Sequence, residues 1–262
     1  MIDIHSHVLS GLDDGAEDGD ASLAMLQEAV AFGVSAIVAT PHVRDDYPTS
    51  AASMLDRVAE LQRAATAAGI GVEVLPGGEL AVDRLRLLPP DEVRRFVLGG
   101  TSSALLIEIS PVESPLDVLE EVRRLAQEGF RCVIAHPERN AWVQSTPRAV
   151  EALVHGGALV QITAGSLVGR FGKSAQRTAQ VLLDASLVHV VATDTHGAGD
   201  RGACLPGAIR ALRDPALAEW LTTAVPEAIL ADRALPSRPQ VAARRRIPRL
   251  SSAWRSARHE NL

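Results

Sequence analysis

Seven short apolar runs rich in β-branched residues recur along the chain, at residues 2–7, 35–40, 72–76, 104–109, 132–135, 159–163 and 189–193. Between them lie stretches with apolar residues at helical spacing, over 21–32, 51–68, 115–127, 147–155 and 173–185. Gly33, Gly69, Gly129 and Gly156 punctuate the ends of four of these stretches, where a left-handed residue commonly closes a helix. The segment 84–96 carries Pro89-Pro90 and predicts only a short helix from Asp91. Continuous apolar strands alternating with amphipathic helices predict an α/β fold with parallel strands. Seven such units in 262 residues, near the roughly 250 of an α/β barrel, point to a distorted seven-stranded (βα)7 TIM-like barrel.

The polar residues that close these runs carry the candidate chemistry. Asp3-Ile4-His5-Ser6-His7 puts two imidazoles on one face of the first strand, about 7 Å apart along the backbone. Thr40-Pro41-His42, Gly77-Gly78-Glu79, Glu108, Ala135-His136-Pro137-Glu138-Arg139 and Thr193-Asp194-Thr195-His196 each end or follow an apolar run. Five of the eight histidines therefore collect at carboxyl ends of strands, the end of a barrel where active sites are built. His155 closes a predicted helix and His189 opens a strand, so both read as structural, while His259 lies near the end of the sequence. A His/Asp/Glu set without thiolates suits zinc, manganese or iron and argues against a structural zinc site. Carboxylates that bridge two ions would hold them roughly 3.5–4 Å apart and make hydroxide available near neutral pH. Arg139 and Arg201, close in sequence to His136 and His196, offer guanidinium forks that match phosphate oxygens. Cys204 and Arg210 satisfy the Cys-x5-Arg spacing of thiol-based phosphatases. However, Pro206 removes a backbone donor from the phosphate cradle and no predicted strand leads into Cys204, so that pattern reads as coincidence. Cys132, at the start of a buried strand, reads as a small core residue.

Composition and charge narrow the picture. At 47% hydrophobic and 22% charged, the chain is that of a folded soluble protein, and no apolar run approaches the roughly 20 residues that span a bilayer. It opens directly on its first candidate ligands without a leader-like segment, and its two cysteines make no disulfide framework; both features predict a cytoplasmic protein. Aromatics at 3% leave little for stacking on nucleic-acid bases. From Arg233 to Leu262 there are eight arginines against one glutamate, in a chain of net charge −6. The expectation is one domain over 1–232 followed by a basic, mobile tail over 233–262; the acidic body argues against nucleic-acid binding.

The combination of Asp3-Ile4-His5-Ser6-His7, Asp13-Asp14-Gly15, Ala39-Thr40-Pro41-His42, Ala135-His136-Pro137-Glu138-Arg139 and the run Ala164-Gly165-Ser166-Leu167-Val168-Gly169-Arg170-Phe171-Gly172 resembles the PHP superfamily. Within it the sequence is most similar to the CpsB/CapC type of bacterial tyrosine-protein phosphatase, over about residues 1–230. The resemblance implies the PHP form of the barrel and a manganese-dependent enzyme of capsule or exopolysaccharide synthesis. It also implies a substrate, the phosphotyrosine tail of a bacterial tyrosine kinase, and is compatible with a homo-oligomer. Three ions are implied, with iron or zinc as alternatives to manganese. The first would be held by His5, His7, Glu79 and Asp194; the second by Glu79, Glu108 and His136; the third by Asp14, His42 and His196. The choice of Asp14 over Asp13 rests on the family pattern alone. Arg139 and Arg201 match positions that engage phosphate, with Asp194 a further catalytic candidate, and a metal-bridging hydroxide would attack phosphorus with no phosphoenzyme. The loop Gly197-Ala198-Gly199-Asp200-Arg201-Gly202 departs from the family, which places prolines after its arginine. The alternative is a PHP-type small-molecule phosphoesterase such as histidinol-phosphate phosphatase. Those enzymes usually carry His at the position of Glu108, so this residue favours the tyrosine-phosphatase branch.

Overall fold

The structure, a computed structural model, describes residues 1–110, 113–199 and 204–240. Each of the seven predicted strands forms: β1 (Ile2–Ser6), β2 (Ala36–Ala39), β4 (Glu73–Pro76), β6 (Ala104–Glu108), β7 (Arg131–Ala135), β8 (Leu159–Thr163) and β9 (Val190–Ala192). Two short strands join them, β3 (His42–Val43) and β5 (Glu79–Ala81). All pair in parallel, as strand–helix alternation requires. The helices cover the faces, and residues such as Leu105, Leu106, Val133 and Ile134 at the centre are wholly buried.

The expectation of a distorted seven-stranded barrel is met in part: the fold is α/β with parallel strands, and the strands among the described residues fall into two sheets. The strands form a three-stranded sheet in the order β1-β2-β4 and a six-stranded sheet in the order β3-β5-β6-β7-β8-β9. Two sequence features divide them. Thr40-Pro41 separates β2 from β3, and Gly77-Gly78 separates β4 from β5. Between β4 and β6 the chain is wedged at Leu98-Gly99: Gly99 donates to the Pro76 carbonyl at 2.7 Å and Leu98 to that of Ala104 at 2.8 Å. Gly78 permits the wedge, because a Cβ there would meet the buried Phe96 ring at 2.6 Å. β1 and the segment after β9 are joined by Asp194 N–H to His5 O at 2.9 Å and His7 N–H to Thr195 O at 3.0 Å.

Helices Leu205–Leu212 and Pro215–Glu219, a π-helical turn Trp220–Ala224 and helix Val225–Leu230 were not foreseen. Pro206 and Pro215 lie in the first turn of their helices, where a missing N–H costs nothing, and Pro226 directly follows the π-helical turn. Residues 233–240 lie against the domain. Trp220 Nε1 donates to the Pro236 carbonyl, and the Arg238 guanidinium stacks 5.0 Å over the Trp220 ring while donating to Val188 O. Residues 241–262, the rest of the basic tail, lie outside the described residues. No helix among the described residues is long and apolar enough to cross a membrane.

Candidate metal centre

Eight of the nine predicted ligands converge from different strand ends, and Asp14 joins them from the loop after β1. His5 stands on β1 and His7 just after it, His42 opens β3, Glu79 opens β5 and Glu108 ends β6. His136 follows β7, and Asp194 and His196 follow β9. Their donor atoms form four overlapping groups: His5, His7 and Asp194; His5, Glu79 and His136; His42, Glu79 and Glu108; and His7, Asp14, His42 and His196. In the tightest arrangement, His5 Nε2 and His7 Nε2 are 3.3 Å apart. Each is 3.3 Å from Asp194 Oδ1 and 3.4 Å from Glu79 Oε2. Ligands about 2.1 Å from a common tetrahedral centre stand about 3.4 Å from one another, so these separations are those of a coordination shell.

A ring of hydrogen bonds fixes which imidazole nitrogen faces that centre. Gln161 Oε1 accepts from His5 Nδ1 at 3.0 Å and from the His136 backbone N–H at 3.3 Å. Asp13 Oδ2 accepts from His7 Nδ1 at 2.7 Å and from His42 N–H at 3.0 Å, while its Oδ1 takes Gly15 N–H. The Asp194 carbonyl accepts from His196 Nδ1 at 3.0 Å. With the Nδ1 protons committed outward, His5, His7 and His196 present Nε2 lone pairs inward, as metal-binding histidines do. This geometry separates the adjacent aspartates: Asp13 orients His7, whereas Asp14 Oδ1 lies 3.4 Å from His196 Nε2 and 3.6 Å from His42 Nε2. The third edge of the cluster is His136 Nε2, 2.7 Å from Glu79 Oε1. Asp194 (φ 51°) and His136 (φ 29°) hold backbone angles that side chains other than glycine seldom adopt, a strain typical of functional sites.

The electrostatics follow from this packing. Burial opposes charge on His5, but Glu79 and Asp194 outweigh it and push the imidazole up to about 9. Burial opposes charging His7 as well, yet its bonds to Asp13, Asp194 and Glu79 carry it well above its usual range. Glu79 and Asp194 would be raised by burial; the surrounding imidazoles, His5 foremost, hold both well below the carboxylate range. Glu108 moves the other way, raised by burial and by the Glu79 charge. Glu79 Oε2 and His42 Nδ1 are buried 2.9 Å apart but have no aligned hydrogen-bond partner among the described residues. Carboxylates that hold protons on the inward Nε2 atoms of His5 and His7 would hold a cation in their place, and the misaligned donor atoms and all-N/O donor set suit a borderline or hard one.

Several contributors were not legible as site residues. Gln161 sits on an apolar strand and carries no motif. Asp3 accepts from Thr193 N–H and Oγ1 and ties β1 to the end of β9. Glu138, fully buried, accepts from Thr163 N–H at 2.9 Å and Ser166 Oγ at 2.7 Å, tying the turn after His136 to the run 164–172. Arg44 lies 3.6 Å from Glu108 and over the Tyr47 ring. Arg139 pairs with Asp194 and stacks 4.5 Å from the centre of the Phe171 ring, at the edge of a pocket of about 260 Å³ that also reaches Asp14 and His196. Arg201 lies outside the described residues. Cys204 borders this pocket with φ 52° at the start of helix Leu205–Leu212, and Arg170 donates to its sulfur at 3.4 Å.

Comparison with known proteins completes the picture. The family model described as capsular polysaccharide synthesis, CpsB/CapC, matches residues 1–224. The tyrosine-protein phosphatase YwqE of Bacillus subtilis (strain 168) is 36% identical over 203 residues, covering 77% of this chain and 79% of that protein. The tyrosine-protein phosphatase CpsB of Streptococcus pneumoniae is 29% identical over 209 residues, 77% of this chain and 85% of that protein. In three dimensions the chain superposes with a TM-score of 0.79 and 31% identity on a structure from the work on YwqE and CpsB, described as metal-dependent tyrosine phosphatases. That match covers 92% of this chain and all 100% of the other. A histidinol phosphate phosphatase from Lactococcus lactis, at 14% identity, TM-score 0.53 and coverage of 81% of this chain and 92% of its own, shares the fold.

Proposed function

The chain belongs to the CpsB/CapC family of capsular polysaccharide synthesis, and on that premise we propose that its metal centre makes it a metal-dependent tyrosine-protein phosphatase, a phosphoric monoester hydrolase. The observation that carries this reading is the shell of His5, His7, Asp194 and Glu79 at 3.3–3.4 Å separations, with tautomers fixed so that lone pairs face inward. A first ion would be held by these four residues. Glu79 would bridge to a second held by Glu108 and His136, and Asp14, His42 and His196 would hold a third. Manganese is the ion proposed, and the all-N/O donor set admits iron or zinc. When bound, such ions supply Lewis acidity to the phosphoryl oxygens and lower the pKa of water toward neutrality.

The chain's own residues do the positioning. Gln161 and Asp13 hold the imidazoles in register. Asp194 anchors Arg139, whose remaining N–H groups are available to grip phosphate oxygens. Arg201 is proposed as a second phosphate contact on sequence grounds alone. The proposed substrate is the phosphotyrosine tail of a bacterial tyrosine kinase governing capsule or exopolysaccharide synthesis, met in the cytoplasm. The proposed architecture takes the two sheets as one distorted seven-stave barrel, with β2–β3 and β4–β5 each a single interrupted stave. The phosphatase unit is residues 1–232, and the basic segment follows from residue 233. The test uses chelator-stripped protein restored with Mn²⁺ and offered a phosphotyrosine peptide beside histidinol phosphate. Metal-dependent turnover favouring the peptide is expected. Preference for histidinol phosphate would keep the metal centre and overturn the substrate.

A further inference from the structure

Phe171 is placed where folding alone gives little reason for a phenylalanine. Of the chain's four phenylalanines it alone is exposed, at 39%; Phe96 and Phe130 are buried and Phe32 is packed against the core. It directly precedes helix Gly172–Asp184 and makes no side-chain capping bond, with its own backbone at φ −94°, ψ 21° and that of Gly172 at φ 88°.

Its surroundings give the ring a fixed place at the pocket. The run 164–172 is folded back on itself by Arg170 N–H to Gly165 O at 2.9 Å and Gly172 N–H to Gly169 O at 3.1 Å. Gly165 admits the ring, because a Cβ there would meet Phe171 Cε2 at 2.8 Å. Arg139 lies over the same ring at 4.5 Å, and both residues line the pocket that reaches Asp194 and His196. A phosphate gripped by Arg139 therefore keeps its ester substituent within reach of the exposed part of this ring.

Resting on the tyrosine-phosphatase reading above, we infer that Phe171 is a specificity-determining residue: its exposed ring is the wall against which the aryl group of a phosphotyrosine packs. An aryl ester gains an aromatic contact there, and an alkyl ester of serine or glycerol gains much less. A planar group stacked on a fixed wall also loses little freedom on binding, so the preference is expressed mainly in KM.

The experiment compares phenyl phosphate with glycerol phosphate as substrates for Mn²⁺-restored protein, and measures phenylphosphonate binding by calorimetry. Phe171→Ala should lower the ratio of kcat/KM for phenyl over glycerol phosphate roughly tenfold and weaken phenylphosphonate by a similar factor. Phe171→Tyr should hold both within about twofold of wild type. Any loss common to the two substrates reports on Arg139, which stacks on the same ring, and cancels in the ratio. An unchanged ratio in Phe171→Ala, in protein of wild-type melting temperature and metal content, overturns the inference and leaves Phe171 as a platform for Arg139. Absence of Mn²⁺-dependent turnover of any phosphomonoester by the wild type would sink the phosphatase reading instead. Phenylphosphonate binding, unchanged or weakened in Phe171→Ala, would then still decide the wall.

Discussion

β9 runs between a half-buried and a fully buried histidine that end in opposite chemistry. Just before it, His189 takes the Val160 N–H on Nδ1 and lies near Trp220 and Arg238; burial and then the Arg238 charge push it down to about 4. Just after it, Asp194 reaches His5, which donates from Nδ1 to Gln161 and is pushed up to about 9 by Glu79 and Asp194 against its burial. Burial favours the neutral imidazole in both places, so the neighbouring charges make the difference. An imidazole beside a cation becomes a neutral acceptor that serves the fold. One among carboxylates, with its outward nitrogen tied down, becomes part of a cation-binding shell.

The comparison breaks hardest at Asp194, which touches His5, His7 and Arg139 at once. Asp194→Ala, and likewise His136→Ala, should bring phosphotyrosine turnover below roughly a thousandth of wild type and strip bound metal, read by elemental analysis after gel filtration. Near-normal activity in both variants would end the site assignment. Gln161→Leu makes a finer test, because one buried oxygen serves both His5 Nδ1 and the His136 backbone. Metal affinity should fall roughly 10–100-fold in competition with a chelator, the usual effect of losing the partner that orients a ligand. Retention of full affinity would show that packing alone sets the His5 tautomer.

These two regions were unequally legible in the sequence. The ligands were readable because strand ends in an α/β fold gather at one rim, and histidines there follow apolar runs that the eye can align. Gln161 was hidden because a glutamine within Leu159–Thr163 looks like one polar residue in a buried strand; its partners lie 25 and 156 positions away. Spacing in a loop does not encode which of Asp13 and Asp14 turns toward the cluster: the family pattern alone favoured Asp14, and side-chain direction separates the two. The division into two sheets depends on Phe96 meeting Gly78 and on Leu98-Gly99 entering between strands, contacts fixed by tertiary packing. The helices after residue 204 were missed because prolines that start helices look like prolines that end them.

At the other end of β9 the effects are smaller and concern stability. Folded His189 takes a proton only near pH 4, whereas the unfolded chain takes it near 6.5. Between those values the unfolded state binds more protons, so stability is full above about pH 6.5 and falls as the pH drops toward 4. His189→Asn, which offers an oxygen to Val160 N–H but cannot titrate, should remove this loss. In urea unfolding it should show about 2 kcal/mol less destabilisation than wild type between pH 7 and pH 5. Equal pH slopes would mean that His189 is already solvated in the folded protein.

The smallest effect separates burial from charge at the same imidazole. Arg238→Gln removes the cation but leaves His189 under Trp220, so the half-buried ring should titrate higher than about 4 by less than roughly one pH unit. Nuclear magnetic resonance of the His189 ring protons would read that shift directly. Because burial is the larger cause at His189, most of the depression should survive the substitution. Titration unmoved by the loss of Arg238 would make His189 a case of burial alone. Charge would then distinguish the two ends of β9 only through the carboxylates at the metal centre.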